Sequence, residues 1–266
     1  MKRIILTADD FGIAPEVNAA VAQAHRDGVL TCASLMIGAP AAPEAVALAR
    51  ALPNLAVGLH VVVADGVPIL PPSQIPDLVN NRGRLRGDLA VAGARMFFLP
   101  HVRAQLAQEI AAQFAAFEDT GLACDHVNAH NHMHLHPTVL SLIMDEAKPR
   151  RIKHVRLPRE PGHLALAPWT ALMRARLRAH GFICNDWLAG LAHTGHMTEA
   201  RVLALLEAVR EGSTELYFHP ATWETEALAA EAPDYDRAGE LAALTSPRVK
   251  ARIESLGLRP SVFRDL

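Results

Sequence analysis

Short apolar segments alternate with helical patterns along the whole chain, and this alternation limits the possible folds more than any other feature. Strands that alternate with helices form right-handed βαβ units and a parallel sheet. The sequence therefore predicts an α/β fold, a parallel (β/α) barrel that is TIM-like and distorted, with seven or eight strands. A doubly wound open sheet is the alternative.

The expected strands are Arg3–Ala8, Val29–Ile37, Leu55–Val63, Ala123–His130, Lys153–Leu157, Phe182–Asn185, Thr214–Phe218 and a short last one at Arg259–Phe263. The expected helices are Pro15–Asp27, Ala42–Leu52, Pro100–Thr120, Thr138–Ala147, Ala167–His180, Glu199–Arg210, Ala238–Leu244 and Ser246–Leu256.

The length and hydrophobicity of the chain fit a single domain with a large core. It has 266 residues, 50% of them hydrophobic. We expect one domain over residues 1–266, with a long loop insertion at about 64–93. Loops of this length in compact domains are usually lids or substrate loops.

Charge and cysteine content exclude several classes of protein. A formal net charge of -2 without a basic block gives no sign of a nucleic-acid partner. The three cysteines, Cys32, Cys124 and Cys184, include no CxxC pair, which favours reduced thiols and a cytoplasmic location. The N-terminal apolar run is too short for a signal peptide, and no segment of about 18 apolar residues predicts a membrane span.

The segment Asp125–His136, with the sequence DHVNAHNHMHLH, concentrates five of the 14 histidines at even positions. In an extended backbone, alternate side chains share a face, so we expect these imidazoles and Asn128 to point the same way. Neutral imidazole is the commonest metal ligand in proteins. A polar loop without function is the alternative, but five alternating histidines favour a metal site. They are His126, His130, His132, His134 and His136.

Polar residues also lie in or near the ends of other predicted strands. In a (β/α) barrel, catalytic groups lie at the C-terminal ends of the strands. Taken singly, each has an ordinary structural explanation, such as a turn cap for an aspartate or a buried, hydrogen-bonded histidine. Their joint occurrence favours a site. These residues are Asp9, Asp10, His60, His130, Arg156 and His219.

One carboxylate and two imidazoles from three strands suit a catalytic divalent ion with one position open for water. We expect Asp10, His60 and His130 to be the ligands. Adjacent acids at a strand end point in different directions, which leaves Asp9 free to act as general base. Zinc or magnesium fits such a site, and manganese or cobalt stays open.

Two further residues complete the expected chemistry. Arg156 is expected to pair with Asp9 and keep it ionised, and His219 to protonate the leaving group. A metal-dependent phosphoesterase is a second hypothesis, although it usually needs a second metal about 3.5–4 Å away. A non-catalytic lipid-binding or sugar-binding protein is a third, but it would not need both Asp9 and His219.

Four motifs resemble the YdjC/ChbG family of carbohydrate deacetylases, and their order and spacing cover nearly the whole chain. They are TADDFG at Thr7–Gly12, GLH at Gly58–His60, HVNAHNHMHLHP at His126–Pro137 and FHPA at Phe218–Ala221. Within the family, the chain is most similar to the hopanoid-biosynthesis-associated HpnK branch. This finer resemblance rests on the His-rich motif and on the segments Gly190–Leu206 and Thr214–Thr222.

The resemblance implies a distorted barrel that uses a divalent ion to remove an acetyl group from an N-acetylated sugar. It places the family's metal ligands on Asp10, His60 and His130, its base on Asp9 and its acid on His219. Related chito-oligosaccharide enzymes have three consecutive histidines where this chain has His130-Asn131-His132. We therefore expect substrate contacts to differ there.

The expected substrate contacts and partners follow from the same resemblance. His132, Asn131 and Phe11 are expected to face the substrate. The HpnK branch implies a hopanoid, a sterol-like lipid, with an N-acetylglucosamine head group; a chito-oligosaccharide or another glycan is the alternative. For the apolar run Met96–Pro100, a core segment or a homodimer contact is the favoured explanation. If the run is exposed, contact with a membrane surface, such as the inner membrane, or with the lipid is the alternative.

Overall fold

In the computed structural model, which describes every residue from Met1 to Leu266, a parallel sheet curls around a polar interior. Its strands are β1 (Lys2–Phe11), β2 (Cys32–Leu35), β3 (Ala56–Val61), β4 (Val127–Ala129), β5 (Trp187–Ala189), β6 (Gly212–Phe218) and β7 (Arg259–Pro260). The hydrogen-bonded order is β4-β3-β2-β1-β6-β5, and β7 pairs with the first half of β1. This arrangement confirms the predicted parallel, distorted α/β barrel.

The barrel is irregular between β4 and β5. Isolated bridges join Val127 to Val155 and His154 to Ile183 in place of continuous strands. The predicted strands at 153–157 and 182–185 are therefore wrong in extent, and the regular strand lies at Trp187–Ala189. The side chain of Asn185 supplies a physical reason. It accepts a hydrogen bond from the Leu157 N–H at 2.7 Å and donates to the Leu157 carbonyl at 3.0 Å, so a side chain replaces ladder bonds.

Ten α-helices surround the sheet, and the expected helices are present. The helices are α1 (Pro15–Asp27), α2 (Ala42–Ala51), α3 (Leu89–Phe98), α4 (Pro100–Asp119), α5 (Pro137–Ala147), α6 (Ala167–Ala179), α7 (Glu199–Glu207), α8 (Glu226–Glu231), α9 (Arg237–Leu244) and α10 (Pro247–Ser255). Two were not expected, α3 and α8. None combines the length and hydrophobicity that crossing a bilayer requires.

Side chains of successive strand residues point alternately to the outer face of the sheet and to the interior of the barrel. On β1, the outer residues Ile4, Leu6 and Ala8 join a core of 64 buried residues. The inner residues follow a different pattern. Ile5 packs at the N-terminal end of the barrel with Cys32, Ala56 and Phe263, whereas Asp9 lies at the C-terminal end. The inner face of β1 is therefore apolar at the N-terminal end of the barrel and acidic at the C-terminal end.

Side chains along one face of α4 form hydrogen bonds with the connection between β3 and α3. Gln113 accepts from the Val62 N–H, Glu109 accepts from Ile69 and Leu70, and Gln105 accepts from Asp77. These side chains are spaced four residues apart and therefore lie on the same side of the helix. The predicted loop at 64–93 ends earlier than expected, because its last residues form the start of α3.

Candidate active site

A bulge near the end of β1 brings two consecutive carboxylates to one imidazole. The register of β1 with β2 shifts between Ala8 and Phe11, and Asp10 has a φ of 60°, in the left-handed region. Asp9 Oδ1 lies 3.9 Å from His60 Nδ1, and Asp10 Oδ1 lies 3.4 Å from His60 Nε2. The two carboxylates thus approach opposite nitrogens of the His60 ring. They point in different directions, but both remain within 4 Å of that ring. Left-handed backbone costs a non-glycine residue about 1–3 kcal/mol and is concentrated at functional sites.

The histidine-rich segment leaves the extended conformation at His130. A 3₁₀-helix covers His130–Leu135, with Asn131 (φ 52°) and His132 (φ 51°) in the left-handed region. The expectation that five imidazoles share one extended face is therefore wrong. The side chain of His134 turns back, and its Nδ1 accepts a hydrogen bond from the Ala129 N–H at 3.1 Å. The turn leaves His130 facing Asp10.

Three donor groups converge as a metal site requires. Ligand atoms of Asp10, His60 and His130 lie within 4.8 Å of one another. His130 Nδ1 is 3.0 Å from Asp10 Oδ1, and His60 Nε2 is 3.4 Å from the same oxygen. Tetrahedral ligands bound at about 2.1 Å are themselves about 3.4 Å apart. One carboxylate with two imidazoles at these separations fits a single divalent ion. Asp10 also raises the pKa of His130, against the opposing effect of burial.

Asp9 is held in its ionised form by a buried guanidinium. Arg156 Nη1 donates to Asp9 Oδ2 at 2.5 Å and Nη2 to Oδ1 at 2.9 Å, while Nε and Nη2 donate to Glu215 at 2.6–3.1 Å. Burial alone would raise the pKa of Asp9, but the charge of Arg156 holds that pKa well below its usual range. Asp9 is therefore an ionised carboxylate of fixed orientation next to the converging donors.

His219 follows β6 and borders the same cavity. Burial lowers the pKa of its imidazole to about 4, so the ring is neutral at pH 7 in the free protein. Its Nδ1 atom is buried without a hydrogen-bond partner. The ring lies 4.9 Å from that of Tyr235, and the His219 backbone N–H donates to Glu240. The His219 side chain thus borders the cavity with one ring nitrogen that has no hydrogen-bond partner in the protein.

Asp9, His60, His130 and His219 line one cavity of about 190 Å³. Its polar wall includes three residues that the sequence did not reveal, Thr194, Tyr217 and Tyr235. Thr194 and Tyr217 share a hydrogen bond between their hydroxyls, and the His132 ring packs edge-on against Tyr217 at 5.1 Å. The full lining is Asp9, His60, Leu89, Ala129, His130, Asn131, His132, Thr194, Tyr217, His219 and Tyr235.

Of the three residues expected to contact substrate, two line the cavity and one does not. Asn131 and His132 line the cavity. Burial lowers the pKa of His132 to about 3, so this ring is also neutral at pH 7. The expectation for Phe11 is wrong, because its side chain is fully buried in the core between sheet and helices. The bulge that turns Asp10 into the site directs Phe11 away from it.

Strand periodicity could have revealed part of what was missed. Glu215 and Tyr217 precede His219 at intervals of two residues on β6 and its extension, so all three share the inner face. Thr194 and Tyr235 lie in connections between regular elements, where no periodicity indicates an orientation.

Residues 3–255 match the family model described as YdjC-like protein. The chain belongs to the YdjC-like family. Among relatives of this YdjC-like chain, a carbohydrate deacetylase of Geobacillus stearothermophilus is 31% identical over 264 residues, covering 98% of this chain and 96% of the relative. A chitooligosaccharide deacetylase of Salmonella enteritidis is 30% identical over 271 residues, covering 100% of both chains.

Solved structures agree with the YdjC-like fold. A protein of Enterococcus faecalis V583, named for cellobiose-phosphate cleavage, superposes with a TM-score of 0.81 at 25% identity, covering 99% of this YdjC-like chain and 98% of the other. A lactam utilization protein of Thermus thermophilus gives a TM-score of 0.51 at 17% identity, covering 97% and 98% of the two chains, a likeness of fold alone.

Proposed function

We propose that this protein is a metal-dependent hydrolase that removes the N-acetyl group from an N-acetylated amino sugar. The main support is the convergence of ligand atoms of Asp10, His60 and His130 within 4.8 Å, beside the carboxylate of Asp9. The full-length similarity to carbohydrate deacetylases is consistent with this assignment. Because the site draws on residues from both halves of the chain, we propose that residues 1–266 act as one catalytic domain.

Asp10, His60 and His130 would hold one divalent ion. When bound, such an ion supplies Lewis-acid polarisation of the acetamide carbonyl and lowers the pKa of water. Zinc or magnesium is the proposed ion, and manganese or cobalt is compatible with the same donors. The residues themselves fix the remaining chemistry.

Asp9 is the proposed general base. It accepts a proton from the attacking water as the carbon–oxygen bond forms, and Arg156 keeps it ionised and oriented until then. Asp9 is also bound by the Asn128 amide at 3.1 Å, so its carboxylate has little freedom to rotate. A base held in this way avoids the entropy cost of orientation during the reaction.

His219 is the proposed acid for the departing amine. It is neutral in the free protein at pH 7, so it must take up a proton from solvent water within the complex. Negative charge that develops on the substrate beside the ring favours the imidazolium form. His219 then donates its proton to the nitrogen as the carbon–nitrogen bond breaks, which yields the free amine and acetate.

The proposed substrate is a hopanoid lipid with an N-acetylglucosamine head group. The segments that resemble the HpnK branch supply three cavity residues, Thr194, Tyr217 and His219. Asn131, at the position where related chito-oligosaccharide enzymes have histidine, also lines the cavity. A chito-oligosaccharide is the alternative substrate.

An apolar surface on α3 suits a cytoplasmic protein that binds peripherally to the inner membrane. Val91, Phe97 and Phe98 are exposed by 52%, 46% and 72%, whereas Met96 of the same helix is buried. Leu89, the first residue of α3, lines the catalytic cavity. We propose that this surface contacts the bilayer that contains the substrate.

Sedimentation with lipid vesicles should be lost in a Phe97→Ser/Phe98→Ser variant. Unchanged sedimentation, or a wild-type dimer that the variant disrupts, would exclude this contact.

One experiment separates the possible activities. The purified protein, loaded with zinc or magnesium, is incubated with hopanoid glycolipids, chito-oligosaccharides and a general phosphoester. Mass spectrometry of the products and an acetate assay should detect deacetylation of the glycolipid. Deacetylation of chito-oligosaccharides alone would exclude the lipid assignment. Release of phosphate without acetate would show that the protein is a phosphoesterase and not a deacetylase.

A further inference from the structure

Asn128 connects two groups of the catalytic cluster from inside the barrel. Its Oδ1 accepts a hydrogen bond from His60 Nδ1 at 2.7 Å, and its Nδ2 donates to Asp9 Oδ1 at 3.1 Å. Asn128 is fully buried. The ionised Asp9 can only accept, so the amide nitrogen must face it and the amide oxygen must face His60. His60 therefore carries a proton on Nδ1, and its Nε2 lone pair is directed at Asp10.

The bonds continue from Asn128 towards the other end of the barrel. Asn128 Nδ2 also donates to Ser34 Oγ at 2.9 Å, and Ser34 Oγ lies 3.1 Å from His126 Nε2. His126 Nδ1 lies 3.2 Å from Asp125 Oδ2. Asp125 can only accept, so His126 Nδ1–H donates to it. The Ser34 hydroxyl, which accepts from Asn128, joins the amide to the Nε2 side of the same ring.

The segment after β7 fixes the far end of this chain of bonds. The Phe263 and Arg264 backbone N–H groups donate to Asp125 at 3.1 and 3.2 Å, and Arg264 Nε donates to it at 2.7 Å. The Phe263 ring stacks on His126 with centroids 4.4 Å apart. Phe263 is itself fully buried against Ile5 and Cys32.

Gly58 leaves the space that the His126 ring occupies. A Cβ atom at Gly58 would lie 2.6 Å from two atoms of that ring and 2.5 Å from the His126 carbonyl oxygen. Cys32, Asp125 and His126 also bring possible ligand atoms within 4.8 Å of one another. However, both Asp125 oxygens already accept hydrogen bonds from protein donors. The cluster is thus complete without a second metal ion.

We propose that Ser34 and His126 are positioning residues, which act through Asn128 to hold His60 in the tautomer and orientation that binding of a divalent ion requires. The expected effect on catalysis rests on the proposed function, whereas the expected effect on metal affinity does not. Partners beyond the ligands typically contribute about 10- to 100-fold to metal affinity or activity. Ser34 has no contact with the cavity, so its effect must pass through Asn128.

The test uses the full chain and Zn²⁺ as the probe. In Ser34→Ala, we expect the zinc Kd from chelator competition to rise about 10- to 100-fold and kcat to fall by a similar factor, with KM nearly unchanged. In ¹⁵N-histidine-labelled, zinc-loaded protein, the His60 Nδ1 proton should exchange faster with solvent than in wild type. Ser213→Ala is the matched control, because Ser213 is also buried at an inner-face position, but its hydroxyl donates to Asp186.

A second pair of variants separates positioning from simple stability. His126→Gln can keep a donor for Asp125 and an acceptor for Ser34, whereas His126→Leu keeps neither. We expect Gln to restore most of the zinc affinity that Leu removes, at matched Tm. A zinc Kd in Ser34→Ala within about twofold of wild type, or equal zinc affinities in the two His126 variants, would overturn the proposal. If the wild type binds zinc but releases no acetate, only the proposed function fails.

Discussion

Arg156 donates to both carboxylate oxygens of Asp9, at 2.5 and 2.9 Å, and its Nε and Nη2 also donate to Glu215. The guanidinium therefore lies between two buried carboxylates. Removing one member of such a group leaves an uncompensated buried charge. The arrangement fixes the orientation of Asp9 at the same time as its ionisation.

Arg156→Lys should shift the acid limb of the pH–rate profile to higher pH. Lysine cannot reproduce the two-pronged contact, so the pKa of Asp9 rises and the base is lost at a higher pH as pH falls. We expect kcat to fall at least tenfold, or about 1.4 kcal/mol in the barrier. The profile of kcat/KM measures the shift. Arg150→Lys is the control, because Arg150 follows α5 and pairs with Glu146 outside the cavity. An unchanged profile in Arg156→Lys contradicts the role of Arg156.

Alanine at His60 or His130 should abolish metal content, and so should alanine at Asp10. Each change removes one of three ligands, and the two that remain bind weakly. Asp9→Asn should keep the metal and lose turnover, since an amide cannot accept the proton. Metal analysis by mass spectrometry beside an acetate assay distinguishes the two classes. Substantial turnover in Asp9→Asn would remove Asp9 as the base.

Gly58→Ala should destabilise the fold by roughly 1–3 kcal/mol, because overpacking displaces β3 from β4 and from the His126 ring. The added Cβ would lie 2.5 Å from a backbone oxygen. Urea unfolding measures the loss. Gly93→Ala is the control, because its Cβ would lie 3.5 Å from the nearest atom, in ordinary contact, and within helix α3. Equal stabilities of the two variants would show that the close approach at Gly58 has no cost.

Asp125 should make a pH-dependent contribution to stability. Burial acts to raise its pKa, but the His126 hydrogen bond and Arg264 lower it to about 2. A folded-state pKa below the unfolded value of about 3.9 stabilises the protein by about 2–3 kcal/mol above pH 4. This contribution is lost as pH falls from about 4 to about 2, with about half remaining at pH 3.

The difference in unfolding free energy between wild type and Asp125→Asn should therefore be smaller at pH 3 than at pH 6. Urea titrations at both values measure it. Asp145→Asn, at an exposed position on α5, is the control. A difference that does not change with pH would mean that the ionised carboxylate adds nothing through these contacts.

The sequence predicted the residues at strand ends better than the course of the backbone between them. Asp10, His60 and His130 were identifiable because parallel strands end at one rim of the barrel. The bulge at Asp10 and the left-handed turn at Asn131 were not, since neither position has a glycine to indicate it. The Leu157–Asn185 pairing was hidden for another reason, because a side chain there replaces backbone partners.

Phe11 illustrates the limit of a motif. It lies beside two site residues in the chain, yet a single bulge reverses its direction into the core. Glu215 and Tyr217, in contrast, follow from the two-residue period of β6 once His219 is placed on the inner face.

Phe263 follows every other barrel strand in the chain, so its docking on His126 has a consequence for synthesis. A ribosome-bound polypeptide that lacks residues 259–264 lacks the Phe263 ring that stacks on His126 and the Arg264 groups that donate to Asp125. During synthesis, these partners of His126 and Asp125 are therefore the last to leave the ribosome.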